Sequence, residues 1–203
     1  MGKLVAKTAL CTLSALIGLA LIVFGAVSLA APSAMLAISD DLGMDKLSAA
    51  YSVAVCERTE KIEDLAEAVE RNYNVSNYKE CAEYGLKLLA DPDFERYCAA
   101  RDDATAGYDK IRSGYRQYAT GIVSASLYRM GSSDAAFDTA FSVLNNDFPA
   151  NNAVIYLAYE VISARDVSFC GKMIEGLEKI APQDTEEAAN KDALIVLLRE
   201  VAQ

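Results

Sequence analysis

The chain contains no histidine and no tryptophan among its 203 residues. Without histidine there is no imidazole general base, no Ser-His or Cys-His nucleophile system and no His-containing zinc site. No Cys-x-x-Cys pair occurs, so zinc-ribbon and thioredoxin chemistry have no ligands or redox couple to work with. A Gly-rich phosphate loop, a Gly-x-Ser-x-Gly elbow and an acid-Gly calcium loop are missing as well. Basic clusters are also lacking: formal charge is −10, and such a chain repels phosphate backbones. These absences predict no catalytic, cofactor-binding or metal site and no nucleic-acid partner, and the chain reads as a non-enzyme.

One further absence is local. From Thr8 to Ser39 there is no charged residue. "TALCTLSALIGLALIVFGAVSLA" (Thr8–Ala30) is long enough for a bilayer core, which takes about 20 apolar residues in a helix. A transmembrane helix is expected over 8–31, after a short tail over 1–7 and before a connector over 32–42. Ser28 and Ala30 would also suit signal-peptide cleavage before Ala31. The tract exceeds a signal h-region of about 7–15 residues, which favours a retained single-pass anchor over a secreted, soluble helical domain. Lys3 and Lys7 precede the tract, placing the N-terminus in the cytoplasm and the rest of the chain outside it by the positive-inside rule.

What remains, 43–203, has helical periodicity throughout. Ile62, Leu65, Ala66, Val69 and Tyr73 share one face; so do Tyr78, Cys81, Ala82, Gly85, Leu88 and Leu89, and later Val154, Leu157, Ala158 and Val161. No segment alternates with period two. The fold expected is all-α. Asp91-Pro92 reads as a helix start, Gly131 as a helix end, and Asp184 with Glu187 as a capping box opening the last, capping helix.

Three segments share one plan: "NYKECAEYGLKLLADPD", "SSDAAFDTAFSVLNNDFP" and "DVSFCGKMIEGLEKIAP". Each has a polar start, a small residue (Cys81, Ala136, Cys170), an apolar residue seven further on (Leu88, Val143, Leu177) and a late proline. Ser48 marks a weaker fourth member. Ser48 to Cys81 spans 33 residues and Ala136 to Cys170 spans 34, while Cys81 to Ala136 spans 55 and so holds an insertion. This period resembles the tetratricopeptide repeat. The family's Trp and Leu-Gly positions have no counterpart, so Sel1-like and other α-hairpin repeats stand beside it. The resemblance implies a small α-α hairpin solenoid whose small residues sit where two helices cross, and a scaffold or assembly role with a protein or peptide partner.

Tyr108, Ile111, Tyr115, Tyr118 and Ile122 recur at spacings of three and four along one helix expected from about Ala104 to Met130. They read as tyrosines packed on neighbouring hairpins with hydroxyls at the rim. The other reading makes Tyr108, Tyr115 and Tyr118 part of a partner-binding wall. The acids of "ERTEKIEDLAEAVE" and "DTEEAANKD" read as solvated helix faces. Cys81 and Cys170 read as small core residues, with pairing among Cys56, Cys81 and Cys98 as the alternative.

Overall fold

The computed structural model describes residues 2–105 and 114–202, and among them there are helices and turns but no strand. The elements are α1 (Gly2–Ala30), α2 (Pro32–Asp41), α3 (Asp45–Thr59), α4 (Ile62–Asn74), α5 (Tyr78–Leu89), α6 (Phe94–Thr105), α7 (Gly114–Arg129), α8 (Ser133–Phe141), α9 (Ala153–Ala164), α10 (Val167–Glu178) and α11 (Thr185–Ala202). The all-α expectation holds.

Residues 2–7, read as a tail, are the first turns of α1, and most of the stretch read as a connector is a helix, α2. Within α1, Thr12–Ala30 is long and apolar enough to cross a membrane, and no side chain in that window is buried. Its 19 residues rise about 28 Å at 1.5 Å each, close to the thickness of a hydrocarbon core. The far end of α1 is tied to α3. Ser28 Oγ lies 2.7 Å from the Tyr51 hydroxyl, and the Arg58 guanidinium donates to the carbonyls of Ala30 (2.9 Å) and Leu29. Those carbonyls belong to the last turn, where a helix has acceptors without intrahelical donors, and a cation there also suits the helix dipole.

From α2 onward the chain turns back on itself through hairpins that share one turn. The left-handed residue is Gly43 between α2 and α3, Ser76 between α4 and α5, Gly131 between α7 and α8, and Arg165 between α9 and α10. Each turn closes with the same backbone pair: Gly43 N to Asp40 O with Met44 N to Ser39 O; Ser76 N to Tyr73 O with Asn77 N to Asn72 O; Gly131 N to Tyr128 O with Ser132 N to Leu127 O; and Arg165 N to Ile162 O with Asp166 N to Val161 O. This is the Schellman pattern, which satisfies the last carbonyls of the first helix while reversing the chain. Gly43 and Gly131 adopt it freely; Ser76 and Arg165 do so with a side chain, which is uncommon for non-glycine residues.

Five residues beyond each turn stands the small residue singled out by the pattern. Cys81, Ala136 and Cys170 are fully buried, and Ser48 is nearly so. In the first of these, Cys81 Sγ faces the Ile122 carbonyl of α7 at 3.9 Å. In the second, Ser124 Oγ of α7 donates to the Ala136 carbonyl at 2.6 Å. The 55-residue interval between Cys81 and Ala136 accommodates α6 in addition to its hairpin.

α7 is the centre of the core. It packs against α4, α5, α6, α8 and α9, and every residue from Ala119 to Leu127 is buried. Close approach to it is made by glycine: a Cβ on Gly85 of α5 would stand 2.3 Å from Val123 Cγ2. Buried Gln117 stitches the surroundings together, donating to Val143 O (3.2 Å) and accepting from Ala153 N (2.9 Å) at the start of α9.

Aspartate side chains mark three helix starts. The single helix expected from about Ala104 to Met130 crosses residues outside the description, and where α7 is described, from Gly114, it does not continue an unbroken helix. Gly114 has a φ of 67°, and the Asp102 carboxylate accepts from Tyr115 N at 2.7 Å, capping a new helix start. Asp91 does cap locally, accepting from Asp93 N at 2.8 Å, although α6 itself opens at Phe94. Asp184 Oδ1 accepts from Glu187 N (2.8 Å) and the Glu187 carboxylate accepts from Gln183 N (2.9 Å), so the start of α11 is capping-box-like, with the return bond falling one residue before Asp184.

Candidate functional site: a row of tyrosines across four helices

Tyr115 and Tyr118, three residues apart, project from the first turns of α7. Tyr108 lies outside the described residues. Tyr115 is buried, and its hydroxyl donates to Glu70 Oε1 of α4 at 2.8 Å. The same carboxylate receives Arg101 of α6 through both nitrogens, Nη1 to Oε1 at 2.9 Å and Nη2 to Oε2 at 3.1 Å. Arg101 Nη1 also donates to the Tyr97 hydroxyl at 2.8 Å, and its guanidinium lies 4.2 Å over the Tyr115 ring. A planar cation suits both contacts, pairing in its plane and stacking on its face. Burial pushes the Tyr115 phenol far above its usual range, and the adjacent Glu70 charge adds to that.

The row continues in both directions. Tyr97 meets Tyr115 edge-on with ring centroids 5.4 Å apart, Tyr115 meets Tyr118 at 6.0 Å, and Tyr118 meets Tyr156 of α9 edge-on at 5.8 Å. These are favoured aromatic geometries, worth about 0.5–1.5 kcal/mol each beyond burial. Tyr156 lies directly on Gly121 of α7, where a Cβ would stand 2.5 Å from its ring. Tyr73 at the end of α4 meets Tyr78 at the start of α5, 6.3 Å apart. Beside them Arg129 pairs with Glu160 of α9 and stands 5.7 Å over the Tyr78 ring. Burial pushes the Tyr73 phenol up to about 12, helped by the Glu160 charge. It pushes the Tyr118 phenol up further still, helped by Glu70.

Tyr73, Tyr78, Tyr118 and Tyr156 are half-buried, and Tyr159, one residue before Glu160, is 69% exposed. No hydrogen bond among the described residues engages the hydroxyls of Tyr73, Tyr118 or Tyr156. The surface is therefore aromatic, has unengaged phenolic groups, and carries its charges as Glu-Arg pairs.

Sequence spacing singled out Tyr115 and Tyr118 but not the partners that fix them. Glu70 ends a stretch that reads as solvated surface; it turns inward instead, its side chain only 20% exposed. Tyr97 with Arg101, and Tyr156 with Glu160, are pairs at i,i+4, the one-face spacing that could have flagged them. Their meeting across α4, α6, α7 and α9 has no signal in the sequence.

The described cysteines, Cys56, Cys81, Cys98 and Cys170, are all free and buried, so none of the pairings weighed among Cys56, Cys81 and Cys98 is formed. Burial pushes the Cys81 thiol up to about 11 and the Cys98 thiol up to about 12, the direction that makes a thiol inert. Among the described residues, no group of three Cys, Asp or Glu side chains is placed to hold a metal ion. Compared with known proteins, the chain matches no family model, no curated sequence and no solved structure.

Proposed function

We propose that this is a non-enzymatic, single-pass membrane protein whose helical domain, a degenerate tetratricopeptide-like hairpin array, binds a protein or peptide partner. The N-terminus is cytoplasmic, the domain lies outside the cytoplasm, and the work is that of a scaffold or assembly factor. The observation that carries the binding role is the half-exposed tyrosine row on α4, α7 and α9. Rings held by their neighbours lose little freedom on binding, and tyrosine is enriched in protein interfaces. Support for the hairpin-array part comes from the four equivalent turns, each followed at one spacing by a buried small residue. Stacked hairpins of this kind commonly bind on one extended face. Support for the anchor comes from the uncharged, unburied Thr12–Ala30 segment and the two lysines ahead of it.

The test is photocrosslinking from a benzophenone side chain installed at Tyr159, in cells, with Leu197 of α11 as the comparison position. The expected result is one discrete adduct from position 159 that disappears when Tyr118 and Tyr156 are both replaced by alanine. Equal adducts from 159 and 197, or an adduct indifferent to those tyrosines, would remove the row from the function.

A further inference from the structure

Of the four equivalent hairpin turns, two place glycine at the left-handed position, Gly43 and Gly131, and a third places Arg165 there. In the turn between α4 and α5 the residue is Ser76, at a φ of 61°. A side chain at that position works against the backbone. Nothing in the turn compensates for it, because no hydrogen bond among the described residues engages the Ser76 hydroxyl.

Three asparagines stand at the same turn, and two of them hold it. Asn72 is buried and donates to Ala68 O (2.8 Å) and Ala49 O (3.3 Å), while its own side-chain oxygen accepts from Asn77 Nδ2 at 2.7 Å. Asn74, the last residue of α4, is different: it is exposed, and its amide has no partner among the described residues. The turn closes through backbone bonds and the Asn72–Asn77 pair, so the side chains of Asn74 and Ser76 take no part in it.

Those two side chains are the ones that N-linked glycosylation requires. Asn74-Val75-Ser76 has the acceptor asparagine, a residue other than proline, and a hydroxyl two positions on. Of the eight asparagines in the chain, Asn74 alone has serine or threonine at that distance. Both residues are exposed, as a bulky solvated glycan demands. We propose that Asn74 is an acceptor site for an N-linked glycan. The Asn74 amide nitrogen forms a bond to the anomeric carbon of an oligosaccharide carried on a polyprenyl diphosphate. The bond from that carbon to the diphosphate oxygen breaks, the oxygen keeps the electron pair, and one amide proton passes to a base on the transferase. Transfer takes place as the chain is threaded, before the α4–α5 turn closes, and the finished turn leaves the glycan in solvent. This rests on the extracytoplasmic placement of the domain proposed above, since the transferase works on that side of the membrane.

The experiment translates the full chain with microsomes that carry the transferase and the lipid-linked donor. The parent should gain mass that peptide-N-glycosidase removes, and Asn74→Gln and Ser76→Gly should not. Ser76→Gly relieves the left-handed backbone, so melts of the chains made without microsomes should show it at least as stable as the parent. Loss of the glycan there reports the hydroxyl and not a damaged fold. Met130→Asn, at an exposed residue ahead of Gly131-Ser132, completes a second acceptor pattern on the α7–α8 turn and should add a second glycan. If the parent stays bare while Met130→Asn is modified, the domain faces the transferase and Asn74 is not an acceptor. If neither is modified, the extracytoplasmic placement fails and the site fails with it. A glycan that persists in Asn74→Gln lies elsewhere and overturns the assignment. The chain recovered from its own cell membranes should also lose mass with the glycosidase, and a bare chain there would overturn the proposal.

Discussion

α1 and α9 are both apolar helices with opposite surroundings. In α9, Ala153, Val154, Leu157, Ala158 and Val161 are buried against neighbouring helices. In α1, Leu16, Ile17, Leu21, Ile22 and Val23 are more than half exposed. Glycine repeats the contrast: a Cβ on Gly18 or Gly25 of α1 meets nothing within 4 Å, whereas on Gly85, Gly121 or Gly176 it would strike a neighbouring side chain. Apolar composition alone does not say what a helix is for. In α9 it is satisfied by protein, and in α1 no described part of the chain covers it.

The largest effect should come from placing a charge on each helix. Leu157→Asp leaves an uncompensated charge in the core, which costs about 3–5 kcal/mol, and the full chain in detergent should lose its cooperative melt. Leu21→Asp should leave that melt intact and instead reduce flotation with vesicles. Equal melting defects in both variants would erase the distinction.

Glycine substitution is a finer probe. Gly85→Ala and Gly121→Ala should each lower stability by about 1–3 kcal/mol through overpacking. Gly18→Ala and Gly25→Ala should be neutral or favourable, because alanine is the better helix former by about 0.5–1 kcal/mol. Denaturant midpoints of the four variants check this.

Cys81 tests the buried side of the comparison by volume and by chemistry. Cys81→Leu should cost about 1–3 kcal/mol, while Cys81→Ala should fall within about 1.5 kcal/mol of the parent, since the close approach to α7 suits a small side chain. Mass spectrometry after alkylation at pH 8 should find Cys56, Cys81, Cys98 and Cys170 unmodified until denaturant is added. Rapid labelling of Cys81 in the folded chain would contradict its burial.

Helix α1 contains no tyrosine and the chain no tryptophan, so phenolate absorbance reads the domain alone. Tyr73 is raised to about 12 in the folded state and Tyr115 higher, each chiefly by burial. A raised phenol stabilises the fold below the unfolded value of about 10, and that contribution is lost as pH rises through the folded values. Stability should therefore be flat up to about pH 10 and decline above it, with part of the phenolate signal appearing only as the domain unfolds. A titration complete by pH 10.5 with the fold intact would argue against the buried row.

The smallest effect belongs to the junction. Arg58→Ala removes the donor to the Leu29 and Ala30 carbonyls, an exposed contact at a helix C-terminus worth about 0.3–1 kcal/mol. The domain melt should barely move, while amide hydrogen exchange at Ala31 and over Ser33–Gly43 should quicken. Unchanged exchange there would mean that the junction holds without Arg58.

Much of this architecture is legible in the sequence because it is written in local periods. The uncharged front segment, the all-helical class, the glycine turn at 131 and the box at Asp184 depend on residues within a few positions of one another. The recurrence of Ser48, Cys81, Ala136 and Cys170 runs over 33 to 55 residues, but Cys81, Ala136 and Cys170 each stand in the same short local pattern. The tyrosine spacing runs straight through the break at Gly114, and only the Asp102 cap, twelve residues upstream, reveals the new start.

Length, apolarity and absent side chains decided the candidate span, the helical class and the chemistry excluded. The tertiary structure decided which tyrosines meet and which acid turns inward. Glu70 resembles its neighbours in the acid-rich stretch, and only the arrival of Tyr115 and Arg101 from helices far along the chain makes it the anchor of the row. A residue's neighbours in sequence fix its helix face, whereas its partners in space depend on how helices pack, and no local pattern records that.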